Sequence, residues 1–172
     1  MLPSRPHAIA SAEIATTTTV RTTPVYTTHA GASVGAMEEV VDHNARVAKF
    51  LEQFGRERNL SLPPLSAEGV GSIQRGSAVV TIHVMTEKGV LLLLARVAAA
   101  PQLDAIKATR LLTASFVETG DAAFALHPQT GDLYLRILRG LDGLDYAEFE
   151  DIVHSIAKTA DAWDDKLKTE LA

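Results

Sequence analysis

Three stretches of the chain place large apolar residues at every third or fourth position, the spacing of one face of an α-helix. The stretches cover residues 34–54, residues 102–117 and a long segment that begins after Asp145. Asp145 and Glu148 fit the spacing of a capping box, with Asp in place of Ser or Thr. The last helix carries the clearest apolar stripe: Phe149, Ile152, Val153, Ile156, Ala160, Trp163 and Leu167.

The stretches between these helices have the composition of β-strands. A short strand is expected at 70–73 and a β-branched, alternating strand at 78–85. The run 90–97 carries apolar residues on both of its faces, which predicts a central strand covered on both sides. A second hairpin is expected from strands at 122–127 and 132–138. The prediction is an α+β fold, a twisted and mainly antiparallel sheet of about five strands with three helices, in the order α-β-β-β-α-β-β-α.

Residues 1–33 differ from the rest of the chain. They are rich in threonine and poor in large apolar side chains, so little burial offsets the entropy of ordering them. The segment is either a flexible tail or an extended arm docked on another surface, because Thr and Val favour extended structure. We expect an N-terminal extension over 1–33 and one α+β domain over 34–172.

Composition and charge narrow the function. The hydrophobic fraction is 47% and the net charge is −5, which disfavours nucleic acid as a partner. The chain has no cysteine, which excludes disulfides and thiolate chemistry and is consistent with a reducing cytosol. The longest apolar run, 90–95, is far shorter than the ~20 residues that span a bilayer, and the N-terminus lacks the pattern of a secretory signal. We expect a cytoplasmic protein without membrane insertion.

Searches for catalytic motifs find no convincing arrangement. The six histidines lack metal-binding spacing, no serine lies in a nucleophile elbow, and the glycines of 71–76 lack the lysine of a phosphate loop. The carboxylates of 142–151 suit the start of a helix, near which Arg136 and Arg139 could form surface ion pairs. The sequence therefore predicts no catalytic residue, no metal site and no cofactor, and an enzyme is the least favoured class.

Large aliphatic residues are in excess in the second helix and in the strand at 90–97. They form either an ordinary core or a contact surface, since large apolar patches mark interfaces. For a dimer contact on the second helix we nominate Leu103, Ile106, Leu111 and Leu112. For a partner-binding groove we nominate Val41, Leu51, Leu92 and Tyr134.

Two C-terminal segments carry a resemblance to a known family. Residues 131–149 run from a strand through a short acidic and apolar turn into a helix, and 160–167 have the form A-x-x-W-x-x-x-L. Together they resemble the class I type III secretion chaperones, the Tir-chaperone-like family, whose element order is also similar. The resemblance implies a homodimer that contacts itself near the middle helix. It also implies binding of the N-terminal region of a secreted effector, which is kept export-competent without ATP hydrolysis.

One feature departs from the family, and one alternative function stays open. The extension over 1–33 is longer than the usual family start, and it could be an expression artefact, an arm that occupies the client groove or a true extension. The alternative function is a regulator or adaptor of another cytosolic protein outside secretion, because the same fold serves more than one role.

Overall fold

The computed structural model of the protein describes residues 41–170 and confirms the predicted α+β class and element order. Its elements are α1 (His43–Glu57), β1 (Val70–Arg75), β2 (Ala78–Met85), β3 (Val90–Ala98), α2 (Ala105–Val117), β4 (Ala123–Leu126), β5 (Leu133–Gly140) and α3 (Tyr146–Glu170). A single 3-10 turn, Thr86–Lys88, connects β2 to β3.

The five strands form one antiparallel sheet in the order β1-β2-β3-β5-β4. Consecutive hairpins join β1 to β2 and β2 to β3, and a third joins β4 to β5. The connection through α2 carries the chain from β3 past β5 to the far edge, where β4 lies. As a result β3 is the middle strand, as the sequence predicted, and α2 lies beside the edge strand β4.

Aspartate caps fix where the helices begin. The Asp42 carboxylate accepts a hydrogen bond from the Ala45 N–H at 3.0 Å, so α1 begins at His43. The sequence predicted a helix from residue 34, but residues 41 and 42 are not helical. Residues 34–40 lie outside the described residues. Asp104 caps α2 in the same way, which places its start three residues after the predicted 102. Asp145 accepts from the Glu148 N–H at 2.8 Å, as the capping pattern predicted.

The core lies between one face of the sheet and the two helices α1 and α3. Every residue of the predicted α3 stripe is at most 3% exposed. Phe149 meets Phe54 of α1 edge-on at 6.5 Å, and Trp163 meets Phe124 of β4 edge-on at 4.9 Å. Alternate strand residues complete this core: Val80, Ile82, Leu91, Leu93, Ala95, Leu133, Leu135 and Ile137.

Only one face of β3 is covered in this way. Leu91, Leu93 and Ala95 are fully buried against the helical layer, whereas Leu92 and Leu94 on the other face are only half-buried. Within residues 41–170 no helix packs on that second face. The expectation that the strand at 90–97 is covered on both sides is therefore wrong for the described chain, because α2 packs at the β4 edge instead of over the sheet.

Candidate functional site

The sheet face that turns away from α1 and α3 is the first candidate binding surface, and we call it the open face. Residues directly opposite each other on neighbouring strands share a face, and the register pairs His83 with Leu92 and Leu92 with Leu138. Val79 and Leu138 are 50% and 44% exposed. The open face includes Val79, Thr81, His83, Leu92, Leu94, Arg96, Tyr134, Arg136 and Leu138.

The open face carries two arginines, of which one lies near a carboxylate and the other does not. Arg96 lies 3.7 Å from the Asp132 carboxylate. Arg136 is exposed, and no carboxylate of the described chain lies within ion-pair distance of it. Burial lowers the pKa of His83, so its imidazole is neutral near pH 7. The open face therefore combines apolar side chains with one unpaired guanidinium.

The outer side of α2 is the second candidate surface. The helix buries only Leu111 and Ala114, which face β4 and the core. Four apolar residues on the opposite arc are 70–88% exposed, and we call them the α2 surface: Ile106, Leu112, Phe116 and Val117. An apolar cavity of about 220 Å³ adjoins this surface, between α2 and the strands β4 and β5. Such exposure of large side chains on one helix indicates a contact with another molecule.

One backbone group at the edge of the sheet beneath α2 is already bonded. Ser115 accepts a hydrogen bond from the Phe124 N–H at 3.0 Å and donates one to the Leu111 carbonyl at 3.0 Å. This bond uses an outward N–H of β4 that would otherwise be open to pairing with another strand. The helix α2 therefore occupies one outward donor of this edge, and its own apolar arc is the more exposed surface.

The third candidate surface is a groove along α1, formed with the loop that leads to β1. Two adjoining cavities of about 560 and 360 Å³ lie along it. Leu51 contributes to both cavities and Leu62 lies across the groove. The close approach of α1 to β1 favours glycine at 71, because a Cβ there would lie 3.1 Å from Leu65 Cδ1 and 3.2 Å from Leu51 Cδ2, and both side chains would have to shift. The groove is shallow and partly apolar, which suits an extended polypeptide.

At the other edge of the sheet, part of β1 is unpaired. The Val70 carbonyl accepts a hydrogen bond from the Ser66 N–H at 2.8 Å, and the Val70 N–H donates one to Ser66 Oγ at 3.2 Å. By strand alternation Ser72 and Gln74 also direct backbone groups outward, and no partner among residues 41–170 meets them. This short edge lies beside the α1 groove and could pair with an added strand.

The structure separates the nominated residues into different environments. Of the dimer set, Ile106 and Leu112 are exposed on the α2 surface, Leu111 is buried and Leu103 is half-buried against the core.

Of the partner set, Val41 is 51% exposed just before α1, and Leu51 is 2% exposed at the base of the α1 groove. Leu92 and Tyr134 are half-buried on the open face. The four residues therefore do not form one groove.

Sequence reasoning missed two features of these surfaces. Phe116 was not nominated for a contact, although it is the most exposed large apolar residue of α2, at 88%. Arg136 was paired with the acidic cluster, but only Arg139 reaches carboxylates, at Asp121 (2.6 Å) and Glu148 (3.3 Å). The alternation of β5 contained the signal, because Arg136 lies between the inward residues Leu135 and Ile137 and must face the other way.

No cluster of acidic residues or histidines in residues 41–170 could hold a metal ion. In the same part of the chain, no helix is both long and apolar enough to cross a membrane.

Comparison with known proteins identifies the class. The family model of the Tir chaperone protein (CesT) family matches residues 49–164. The chain belongs to this family of type III secretion chaperones, as the C-terminal resemblance predicted. A search of curated proteins found no match.

Solved structures show the same fold at low sequence identity. One chain of the ExsC–ExsE complex has a TM-score of 0.60 and 23% identity, over 72% of this chain and 95% of that chain. One chain of the HopA1–SchA chaperone–effector complex has a TM-score of 0.58 and 13% identity, over 73% of this chain and 98% of that chain. One chain of the ExoT–SpcS complex from Pseudomonas aeruginosa has a TM-score of 0.52 and 20% identity, over 71% of this chain and 98% of that chain.

Proposed function

We propose that this protein is a cytoplasmic, non-catalytic chaperone that binds the N-terminal region of a secreted effector as a homodimer and keeps it export-competent. The observation that carries the proposal is the amount of apolar surface left uncovered on two sides of the domain. The α2 surface and the open face both expose large side chains that a monomer does not bury. Membership of the chaperone family and the chaperone–effector complex among its structural neighbours support effectors as the partners.

We place the dimer contact on the α2 surface. Ile106, Leu112 and Phe116 are 70–88% exposed, and two copies could bury these arcs against each other. A contact of this kind is self-complementary, as a two-fold dimer requires. Leu103 and Leu111 then support the contact from beneath, because both line the adjoining cavity.

We place the client on the open face and along the α1 groove. Leu92 and Tyr134 would contact it on the first surface and Leu51 on the second, and Val41 would contact it just before α1, outside the two cavities of the groove. The unpaired part of the β1 edge lies beside the α1 groove and offers backbone groups to an extended client. A client that follows both surfaces would stay extended, which is the state that export requires.

The dimer is tested with Leu112→Asp and a matched control. The substitution would place an unpaired charge in the contact, so we expect a monomer by light scattering. Val41→Asp introduces the same charge at a half-exposed apolar residue away from α2, and it should remain dimeric. A Leu112→Asp variant that keeps the dimer mass would refute this placement of the contact.

The client is tested by co-expression with the secreted proteins encoded beside this gene. We expect one of them to become soluble and to co-purify in a fixed ratio with the dimer. A strictly monomeric protein that stabilises none of them would contradict the proposal and would favour a role outside secretion.

We further propose that residues 1–33 are an extension separate from the chaperone domain at 34–172. The family match begins at residue 49, well after the Thr-rich segment, which supports this division. Removal of 1–33 should leave the melting temperature and the dimer unchanged. Stronger client capture by the shortened chain would indicate an arm that occupies the client groove, whereas loss of folding would contradict the division.

A further inference from the structure

Arg136 occupies an unusual place on the open face. It lies on β5, directly opposite Leu94 of β3 on one side and Ala123 of β4 on the other. Tyr134 and Leu138 flank it along its own strand and share its face. The guanidinium therefore rises from the middle of a largely apolar surface.

Most other arginines of the described domain have a carboxylate partner, and Arg46 and Arg75 bond to histidines instead. Arg58 pairs with Glu150, Arg96 approaches Asp132 and Arg139 contacts Asp121. Arg136 has no such partner in the described part of the chain. In the free protein this arrangement costs little, because water solvates the exposed guanidinium.

The situation changes when another molecule covers the open face. Covering Leu92, Leu94 and Leu138 would also remove water from Arg136, and a buried charge without a partner costs several kcal/mol. Arginine cannot avoid this cost by losing its proton. The occupant must therefore bring an acceptor, and a carboxylate matches the guanidinium fork best.

We propose that the open face recognises a polypeptide segment in which an acidic residue lies among apolar anchors, and that its carboxylate pairs with Arg136. This inference rests on the proposed function and specifies the chemistry of the client on that face. The apolar anchors lie over Leu92, Leu94 and Leu138, and the small residues Ala123 and Ala125 leave room beside Arg136 for the acidic side chain. The charge selects among apolar segments that would otherwise bind equally.

The test uses the full chain and two synthetic fluorescent peptides. One alternates leucine with serine or threonine and carries a central glutamate, and its twin carries glutamine at that position. We expect the glutamate peptide to bind wild type ~3–10-fold more tightly by fluorescence anisotropy, with the preference decreasing at high salt. Arg136→Gln should remove the preference and leave the glutamine peptide unaffected.

The matched control is Lys158→Gln, which removes an exposed positive charge of α3, away from the open face and outside the cavities of the α1 groove. It should keep the preference. Equal binding of the two peptides to wild type would overturn the proposal without any variant, as would failure of the glutamate peptide to bind. A preference that survives Arg136→Gln, or a dimer that dissociates in that variant, would assign the face to another role.

These outcomes are separable from failure of the proposed function. If an effector still co-purifies while the two peptides bind equally, the charge recognition is wrong and the chaperone function stands. If no effector co-purifies but the glutamate preference follows Arg136, the face binds acidic segments of another kind of partner.

Discussion

The two faces of this sheet use the same strands for opposite purposes. On one face, Leu91 and Leu93 are fully buried beneath α3. One residue away, Leu92 and Leu94 lie on the open face and are only half-buried. Because strand residues alternate between faces, one apolar run supplies residues both to the core and to the open face. Under the proposed function, alternate positions of β3 serve stability and recognition.

A similar contrast separates the helices α3 and α2. The stripe of α3 is buried along its length, up to Trp163 and Leu167. In α2 the buried set is only Leu111 and Ala114, and the larger residues Leu112 and Phe116 face outward. The helix α3 therefore completes the core of the monomer, whereas α2 presents apolar surface that the monomer leaves uncovered.

The largest expected loss of stability comes from a substitution on the covered face of the sheet. Phe149→Ala should lower the free energy of unfolding by about 3–5 kcal/mol, because it opens a cavity between α1 and α3. Leu138→Ala, on the open face, should cost under about 1 kcal/mol, since its side chain is 44% exposed. Urea denaturation of the two variants measures the difference. Similar losses would contradict the division between the two faces.

The sequence predicted the covered half better than the open half. The apolar stripe of α3 extends over many turns and follows a capping aspartate, so both the start of the helix and its buried face could be predicted. In α2, apolar residues cover most of the helix, and only packing against β4 decides that Leu111 is buried and Leu112 is not. The start of α1 was missed because the apolar spacing continues past its cap at Asp42.

A smaller effect is expected at the start of α3. Asp145→Ala removes the acceptor for the Glu148 N–H, and the loss of such a cap typically costs about 1 kcal/mol. Asp151→Ala changes an exposed carboxylate of the same helix and should stay within about 0.5 kcal/mol of wild type. Thermal unfolding measures both. Equal stability of the two variants would argue against the cap.

The smallest effect should be a pH dependence where α1 meets α3. The Tyr146 hydroxyl donates to Glu57 at 2.6 Å; burial first and this bond second raise the pKa of Tyr146 to about 12. The same bond lowers the pKa of Glu57 below its ordinary value of 4.5.

Because the folded state holds the tyrosine proton more tightly, this contribution is present below pH 10 and is lost as the pH rises towards about 12. The carboxylate contribution is present above the ordinary pKa of Glu57 and is lost as the pH falls through the lowered value. Tyr146→Phe should therefore differ most from wild type between these limits. A difference that does not change with pH would show that the hydrogen bond contributes nothing measurable.

The central claim, that the open face binds the client, is tested most directly by one calorimetric titration. The N-terminal segment of a co-purifying effector is titrated into wild type and into Leu138→Asp, which changes an exposed residue and spares the core. We expect at least ~10-fold weaker binding by the variant at an unchanged melting temperature, because the substitution replaces an apolar anchor with a carboxylate that must be desolvated or that occupies the neighbouring Arg136. Equal affinity for the two proteins would contradict the assignment of the open face to the client.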